Sequence, residues 1–310
     1  MSGWTARDIP DQTGRRAIVT GANSGLGFHT ALELARRGAT VVMTARDEGK
    51  GNEAVRRVRA EVPDARVELG QLDLADLSSV REFATAYGTE PLDVLVNNAG
   101  VMAIPRRETL DGFEMQIGTN HLGPFALTGL LLPALLASSM SSAARVVTVS
   151  STAHWFGALD LGDLMGERRY QPWTAYGQSK LANLLFMRRL NRGAQGTGLV
   201  SVAAHPGLSA TNLQKVGPQM TGNHTSGGVV VGLTRVFGQS AAKGALPQLH
   251  AATAPGVVGG DYFGPRGLAE QRGLPKRVRM SKNARSDEAA EALWEKSVEL
   301  TGVTYDALAG

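Results

Sequence analysis

The chain has 310 residues, 43% of them hydrophobic and none of them cysteine, with a formal net charge of +4. That length and apolar content fit one domain with a large core, and the lack of thiols excludes disulfides, thiolate catalysis and thiolate metal sites. The positive excess lies in scattered pairs such as Arg36-Arg37 and Arg188-Arg189 without an interleaved aromatic stripe, so no nucleic-acid partner is expected.

Residues 1–14 carry Arg7, Asp8 and Asp11 but no apolar core, and read as an N-terminal tail rather than a signal peptide or membrane anchor. The longest apolar stretch, 127–137, is broken by Thr128, Gly129 and Pro133 and falls short of the ~20 residues that span a bilayer. A cytoplasmic protein is expected. Six scattered histidines lack the paired spacing of ligands, so no metal is expected.

Residues 16–20 form a short apolar, partly β-branched run, and 28–37 follow with helical periodicity. Between them lies Gly21-Ala22-Asn23-Ser24-Gly25-Leu26-Gly27. A glycine-rich turn from strand to helix lets backbone N–H groups meet a pyrophosphate at close range, so this heptapeptide is read as a dinucleotide-binding turn. The second strand, 40–45, runs into Arg46 where an NAD-preferring fold presents a carboxylate. A guanidinium there suits a 2′-phosphate, which points to NADP(H) in preference to NAD(H). Asp47, one residue on, keeps NAD(H) open; its competing reading is an N-cap for the next helix.

A helix over 48–62 stops at Pro63, and a third strand over 67–72 delivers Asp73 and Leu74 to the sheet edge as candidates for the adenine pocket. After a helix over 76–87, the fourth strand (92–96) ends in Asn97-Asn98-Ala99-Gly100, where small residues let a flat cofactor lie on the backbone. A long helix is expected from about Glu108. Asn120 inside it can bond the backbone and loosen the turn, and Pro124 supports a local break; burial and exposure of Asn120 are both open.

The fifth strand, 145–149, ends in Ser150-Ser151-Thr152. A turn-rich insertion over 155–172 leads to a helix bearing Tyr176 and Lys180, four residues apart and on one face. A phenol with an ordinary pKa near ~10 is a poor acid at neutral pH, and a neighbouring ammonium is expected to lower it. The sixth strand, 199–204, closes in His205-Pro206-Gly207, and 208–246 is expected to form short helices and a mobile flap over the substrate. A last strand over 256–263 precedes a C-terminal helix (286–300) with Leu293 and Trp294 inward, ended by Gly302, within a closing segment 283–310. The expected architecture is α/β: a single doubly wound Rossmann-type domain over 1–310, with a mainly parallel seven-stranded sheet flanked by helices.

With these pieces in order, the chain resembles the short-chain dehydrogenase/reductase family over nearly its whole length. Thr20-Gly21, Gly25 and Gly27 match its cofactor turn, and Asn97-Asn98-Ala99-Gly100 its fourth-strand motif. Asn120, Ser151, Tyr176 and Lys180 match its catalytic four, with Ser150 as the alternative serine, and Pro206-Gly207 with Thr211 matches the segment that contacts nicotinamide. Residues 97–105, 119–125 and Tyr262-Phe263-Gly264-Pro265 are similar to the retinol-dehydrogenase-like branch, as is the long insertion between Ser151 and Tyr176. The membrane-bound members' apolar N-terminal anchor and the WW module of other relatives are not found, so retinoid chemistry is not implied.

The resemblance implies an oxidoreductase acting on a CH–OH group with NAD(P). Hydride passes between the nicotinamide and a carbonyl carbon, Tyr176 exchanges the proton, and Ser151 holds the oxygen. Lys180 bonds the ribose and keeps the phenol's pKa low, and Asn120 holds a connecting water. Homodimers or homotetramers through the helices of Asn120 and Tyr176 are implied as well. The substrate is a small carbonyl or alcohol; Trp155, Phe156, Trp173 and Met220 hint that it is apolar, although core packing explains such residues equally. The rival reading is a catalytically silent protein that senses NADP(H), against which the intact Ser151, Tyr176 and Lys180 argue.

Overall fold

Short β-branched runs become the strands of one sheet in the computed structural model, which describes residues 3–138, 143–208 and 239–308. In chain order they are β1 (Arg16–Val19), β2 (Thr40–Ala45), β3 (Val67–Gln71), β4 (Val94–Asn97), β5 (Arg145–Val149), β6 (Val200–Ala204), β7 (Tyr262–Pro265) and β8 (Pro275–Arg277). Their spatial order is β3-β2-β1-β4-β5-β6-β7-β8, parallel except for the antiparallel β7–β8 pair. The order reverses between β1 and β4, where the C-terminal strand edges leave a crevice for a ligand.

Side chains on consecutive strand positions point to opposite faces. On one face Val19, Val41, Met43, Val96, Val147 and Val202 meet Phe28, Leu32 and Leu249. On the other, Ile18, Val42, Leu95 and Val146 meet Phe125, Leu127 and Phe186. Both faces are covered, which is why these strands read as unbroken apolar runs.

The helices that matter for the site are α1 (Gly25–Arg36), α2 (Glu48–Glu61), α3 (Leu77–Tyr87), α4 (Met115–Ile117), α5 (Gly123–Leu130), α6 (Leu132–Leu136), α7 (Pro172–Gly193), α8 (Leu246–Thr253) and α9 (Asp287–Thr301). Gln171 caps α7, accepting from the Thr174 N–H at 2.6 Å, and Pro172 fills its first position, where no N–H is missed. The C-terminal helix follows the expected outline, with Leu293 buried, Trp294 packed on Phe125 at 5.1 Å, and Gly302 ending it at a φ of 64°.

Four expectations need correction. The sheet has an eighth strand, β8, a short exposed edge with no apolar signature. The last parallel strand does not begin at 256: Gly256 and Gly260 sit at φ of 72° and 85°, so this stretch turns before the chain enters β7. The helix expected from Glu108 starts at Met115, because 108–114 fold back on themselves, with Glu108 bridged to Glu114 and Gly112 at a φ of 80°. The segment read as a tail packs beneath the sheet, with Ile9 buried and Trp4 edge-on to His250 at 4.9 Å. Among the described residues no helix is long and apolar enough to cross a membrane.

His121, between α4 and α5, ties the middle of the fold to α9. Its Nε2 lies 2.8 Å from the Ser297 hydroxyl, which donates to the Leu293 carbonyl, so the ring donates from Nε2. Its Nδ1 has no partner among the described residues, and burial pushes the imidazole pKa down to about 3. The unfolded chain therefore binds a proton here that the folded one refuses, and stability present above pH ~6.5 is lost as pH falls toward 3. Denaturant titrations are expected to show a loss on the order of a few kcal/mol over that window, reduced in His121→Gln, which keeps a donor but cannot titrate. An acid limb equally steep in the variant would contradict this.

Candidate active site

The cofactor turn is built first from main chain. At Gly27 a Cβ would collide with the Gly21 carbonyl oxygen and lie 2.6 Å from Asn98 Nδ2, so only glycine lets α1 start this close to β1. Ser24 occupies the N-cap of α1, yet its side chain makes no capping bond among the described residues. The first N–H groups of this 12-residue helix thus have no side-chain cap, which leaves them able to meet an anion.

Thr20 braces this turn against β4. Its hydroxyl accepts from the N–H groups of Asn98 (2.9 Å) and Ala99 (3.0 Å) and donates to the Val96 carbonyl. Asn98 answers with its amide, Nδ2 donating to the Thr20 carbonyl at 2.7 Å, while its Oδ1 accepts from Gln248 of α8 at 3.2 Å. The Asn98 side chain is therefore committed to holding the turn. Backbone at Asn98, Ala99 and Gly100 is left to line the crevice.

At the end of β2, Asp47 caps α2, accepting from the Lys50 N–H at 2.9 Å. Arg46 reaches out, its side chain 75% exposed and 3.8 Å from Asp73. Asp73 also accepts from the Ala75 N–H, fixing the turn after β3, and Leu74 is buried beside it. The end of β2 thus presents an exposed guanidinium whose acidic neighbour, Asp73, meets it through Oδ2 while Oδ1 holds the Ala75 N–H.

The second half of the site comes from α7, β5 and the chain around Asn120. Residues 118–122 form a single π-helical turn, the local break that Asn120 and Pro124 foretold. Asn120 is buried: Nδ2 donates to the Val101 carbonyl (2.9 Å) and the Ser179 hydroxyl (2.8 Å), and Oδ1 accepts from the Val101 N–H (2.7 Å). A Cβ on Gly100 would lie 2.7 Å from Asn120 Oδ1 and 3.5 Å from Lys180 Nζ, so the glycine makes room for both groups. Lys180 donates to the Val149 carbonyl at 3.1 Å, an oxygen shared with Asn183.

The two serines separate. Ser150 is buried and donates to the Lys180 carbonyl at 2.8 Å, a structural duty. Ser151 is half-buried, caps the turn Thr152–Trp155, and lies close enough to the Tyr176 phenol for its hydroxyl to favour the phenolate. His154 is buried rather than at an entrance: it accepts from the Ser281 N–H at Nε2, leaving its Nδ1–H to donate to the Ser151 carbonyl at 2.7 Å.

Burial pushes the Tyr176 phenol up to about 12, and the neighbouring Ser151 hydroxyl only partly offsets it. Burial also pulls the Lys180 ammonium down to about 8. The four-residue spacing predicts that the lysine lowers the phenol; in this structure desolvation wins, with Nζ 5.7 Å from the ring centroid and bonded elsewhere. A protonated phenol is nonetheless the form that can give a proton to a substrate oxygen.

Gly21, Asn23, Ser24, Gly25, Leu26 and Gly27 form the turn; Asn120, Ser151, Tyr176 and Lys180 converge; and Pro206-Gly207 follow β6 at the same sheet edge. Trp173, Trp155 and Phe156 are exposed around this end, Trp173 edge-on to Tyr176 at 6.1 Å. Thr211, Met220 and most of the flap read over 208–246 lie outside the described residues; 246–253 are helix α8. Among the described residues no acidic and histidine cluster could hold a metal. The bracing duty of Thr20, and the roles of Gln248, Ser179 and Asn183, were missed. Each supports another side chain through the fold, and no local pattern marks it.

Comparison with known proteins agrees with this geometry. A family model described as short chain dehydrogenase matches residues 15–221. Human retinol dehydrogenase 12 is 40% identical over 99% of this chain and 92% of its own. Mouse polyprenol dehydrogenase is 43% identical over 95% of this chain and 86% of its own. A solved structure of an uncharacterized protein from Mycobacterium paratuberculosis superposes with a TM-score of 0.79 at 45% identity, covering 98% of this chain and 99% of the other.

Proposed function

The chain belongs to the short chain dehydrogenase family, a set of alcohol and carbonyl oxidoreductases, and from that premise we propose that it interconverts an apolar carbonyl compound and its alcohol using NADP(H). The observation that carries this reading is the meeting of Ser151, Tyr176 and Lys180, drawn from two elements, at the sheet edge that also bears the glycine turn.

The residues present fit a dinucleotide: a helix start with no side-chain cap, a cradle that a Cβ at Gly27 would fill, and an exposed guanidinium at Arg46 held, among the described residues, only by a long contact to Asp73. When bound, the nicotinamide supplies or accepts the hydride. Tyr176 holds the proton destined for the carbonyl oxygen, and its burial keeps that proton in place at neutral pH. Ser151, whose hydroxyl neighbours the same phenol, orients the oxygen. Lys180 would hold the nicotinamide ribose, and its cation, 5.7 Å from the Tyr176 ring, would lower the cost of phenolate once the proton has left. Asn120 fixes the 101 segment and, through Ser179, the middle of α7, so that its contribution here is to hold the lysine's surroundings. The retinol and polyprenol named for two relatives are both long apolar alcohols, and the exposed Trp155, Phe156 and Trp173 around the site suit such a body.

A panel of apolar aldehydes, ketones and secondary alcohols, read as NADPH and NADH absorbance side by side, tests this directly. Turnover confined to NADPH and to apolar carbonyls is expected; cofactor binding without turnover on any compound would favour a sensor. For cofactor choice, Arg46→Ala is expected to weaken NADPH about tenfold or more and leave NADH within about twofold, since only the 2′-phosphate meets the guanidinium. Equal weakening of both would reject that role.

A further inference from the structure

The imidazole of His205 lies just after β6, fully buried, against a gap in β7: a Cβ on Gly264 would collide with the ring. Gly264 belongs to the Tyr262-Phe263-Gly264-Pro265 motif, and its missing side chain is what admits the histidine. Both ring nitrogens are engaged. Nδ1 accepts from the Gly207 N–H at 3.2 Å, so the neutral ring carries its hydrogen on Nε2, which lies 3.1 Å from Glu270 Oε2.

The segment bearing Glu270 is held in an unusual shape for the purpose. Ala269 and Glu270, neither a glycine, sit at φ of 48° and 57°, a left-handed pair that needs surrounding structure to persist. From there Gln271 accepts the Leu208 N–H at 2.8 Å, and a Cβ on Gly207 would lie 2.7 Å from the Glu270 carbonyl oxygen and 2.5 Å from that of Gln271. Gln239 closes the other side, donating to the Pro206 carbonyl at 2.9 Å. The Glu270 carboxyl is held below its usual range, chiefly by the bond from His205.

We infer that Glu270, acting through His205, is the positioning residue that sets the His205-Pro206-Gly207 turn for the nicotinamide end of the cofactor. The inference rests on the dinucleotide reading above and deepens it, by assigning the far half of the cofactor site to a carboxylate that touches no cofactor itself. Glu270 orients the imidazole, the imidazole holds the Gly207 N–H, and that bond fixes the direction of the peptide facing the crevice. A buried histidine without its acceptor is left with an unpaired donor and freedom to flip.

The test compares two ligands on the full chain: NADPH, and the 2′-phosphoadenosine diphosphoribose fragment that lacks nicotinamide. Glu270→Ala is expected to weaken NADPH about tenfold and leave the fragment within about twofold, with the melting temperature lowered by only a few degrees, as one unpaired donor on the buried imidazole requires. Glu270→Gln keeps an oxygen acceptor and should recover most of that loss. His205→Asn offers an acceptor to Gly207 but no donor toward 270, and should behave like Glu270→Ala. Parallel weakening of both ligands would mark a general loss of structure and overturn the assignment, as would unchanged NADPH affinity in Glu270→Ala. Failure of the underlying cofactor reading looks different: the unsubstituted chain would bind neither ligand, and the assignment would fall with it.

Discussion

Phenylalanine at position 176 is expected to cut carbonyl reduction by about 10³-fold while leaving NADPH affinity within about twofold. The substitution removes one hydroxyl and keeps the ring, so the edge contact with Trp173 and the packing of α7 remain. What is lost is the proton that burial holds on the phenol beside Ser151. A serine hydroxyl alone is a far weaker acid, so Ser151 cannot replace it at neutral pH, and general acid help is worth about 10²–10⁴-fold. Steady-state rates on the carbonyl panel, with NADPH binding followed by fluorescence, give the two numbers. Turnover within tenfold of the unsubstituted chain would remove Tyr176 from the chemistry.

The other large effect is expected at the opposite end of the cofactor. Gly27→Ala should lower NADPH and NADH affinity together, by about 100-fold, since the added methyl meets the Gly21 carbonyl, which is backbone and has no rotamer to escape into. Relief requires α1 to retreat from β1, and that strains the bond from Asn98 Nδ2 to the Thr20 carbonyl that sets the turn. The sheet itself buries its strands independently of this turn, so far-ultraviolet circular dichroism should be unchanged. Retained affinity in a folded variant would show that the turn does not hold the pyrophosphate.

Most of the sheet was legible because burial on both faces leaves a signature no local context can hide. The runs at Ala17-Ile18-Val19, Val94-Leu95-Val96 and Val146-Val147 have few readings other than a covered parallel strand. β8 was not legible: Pro275-Lys276-Arg277 is short, polar and exposed, and pairs only because β7 offers it an edge. The start of the helix near Asn120 was misplaced despite a local signal. Residues 108–114 carry the turn signal Asp111-Gly112, and a glycine with left-handed φ and a bridge between Glu108 and Glu114 turn them back.

In the site, Tyr176 and Lys180 could be paired from spacing alone, since a helix fixes what lies four residues apart. The direction of the phenol's shift could not be read that way, because it depends on how deeply both groups are buried once the sheet closes over them. The resemblance alone favours Ser151 over Ser150, and the fold supplies the physical reason: one hydroxyl turns onto the Lys180 carbonyl and the other lies toward the phenol. Gln248, 150 positions from the Asn98 it braces, left no trace in the local pattern.

The central claim is that one crevice serves both the dinucleotide and the acid. It is tested most directly by solving the structure of this chain with NADPH bound. The account places the nicotinamide ring within reach of the Tyr176 and Ser151 hydroxyls, its ribose at Lys180, and its pyrophosphate at residues 21–27. A nicotinamide lying elsewhere, with Ser151 and Tyr176 facing only protein, would contradict it.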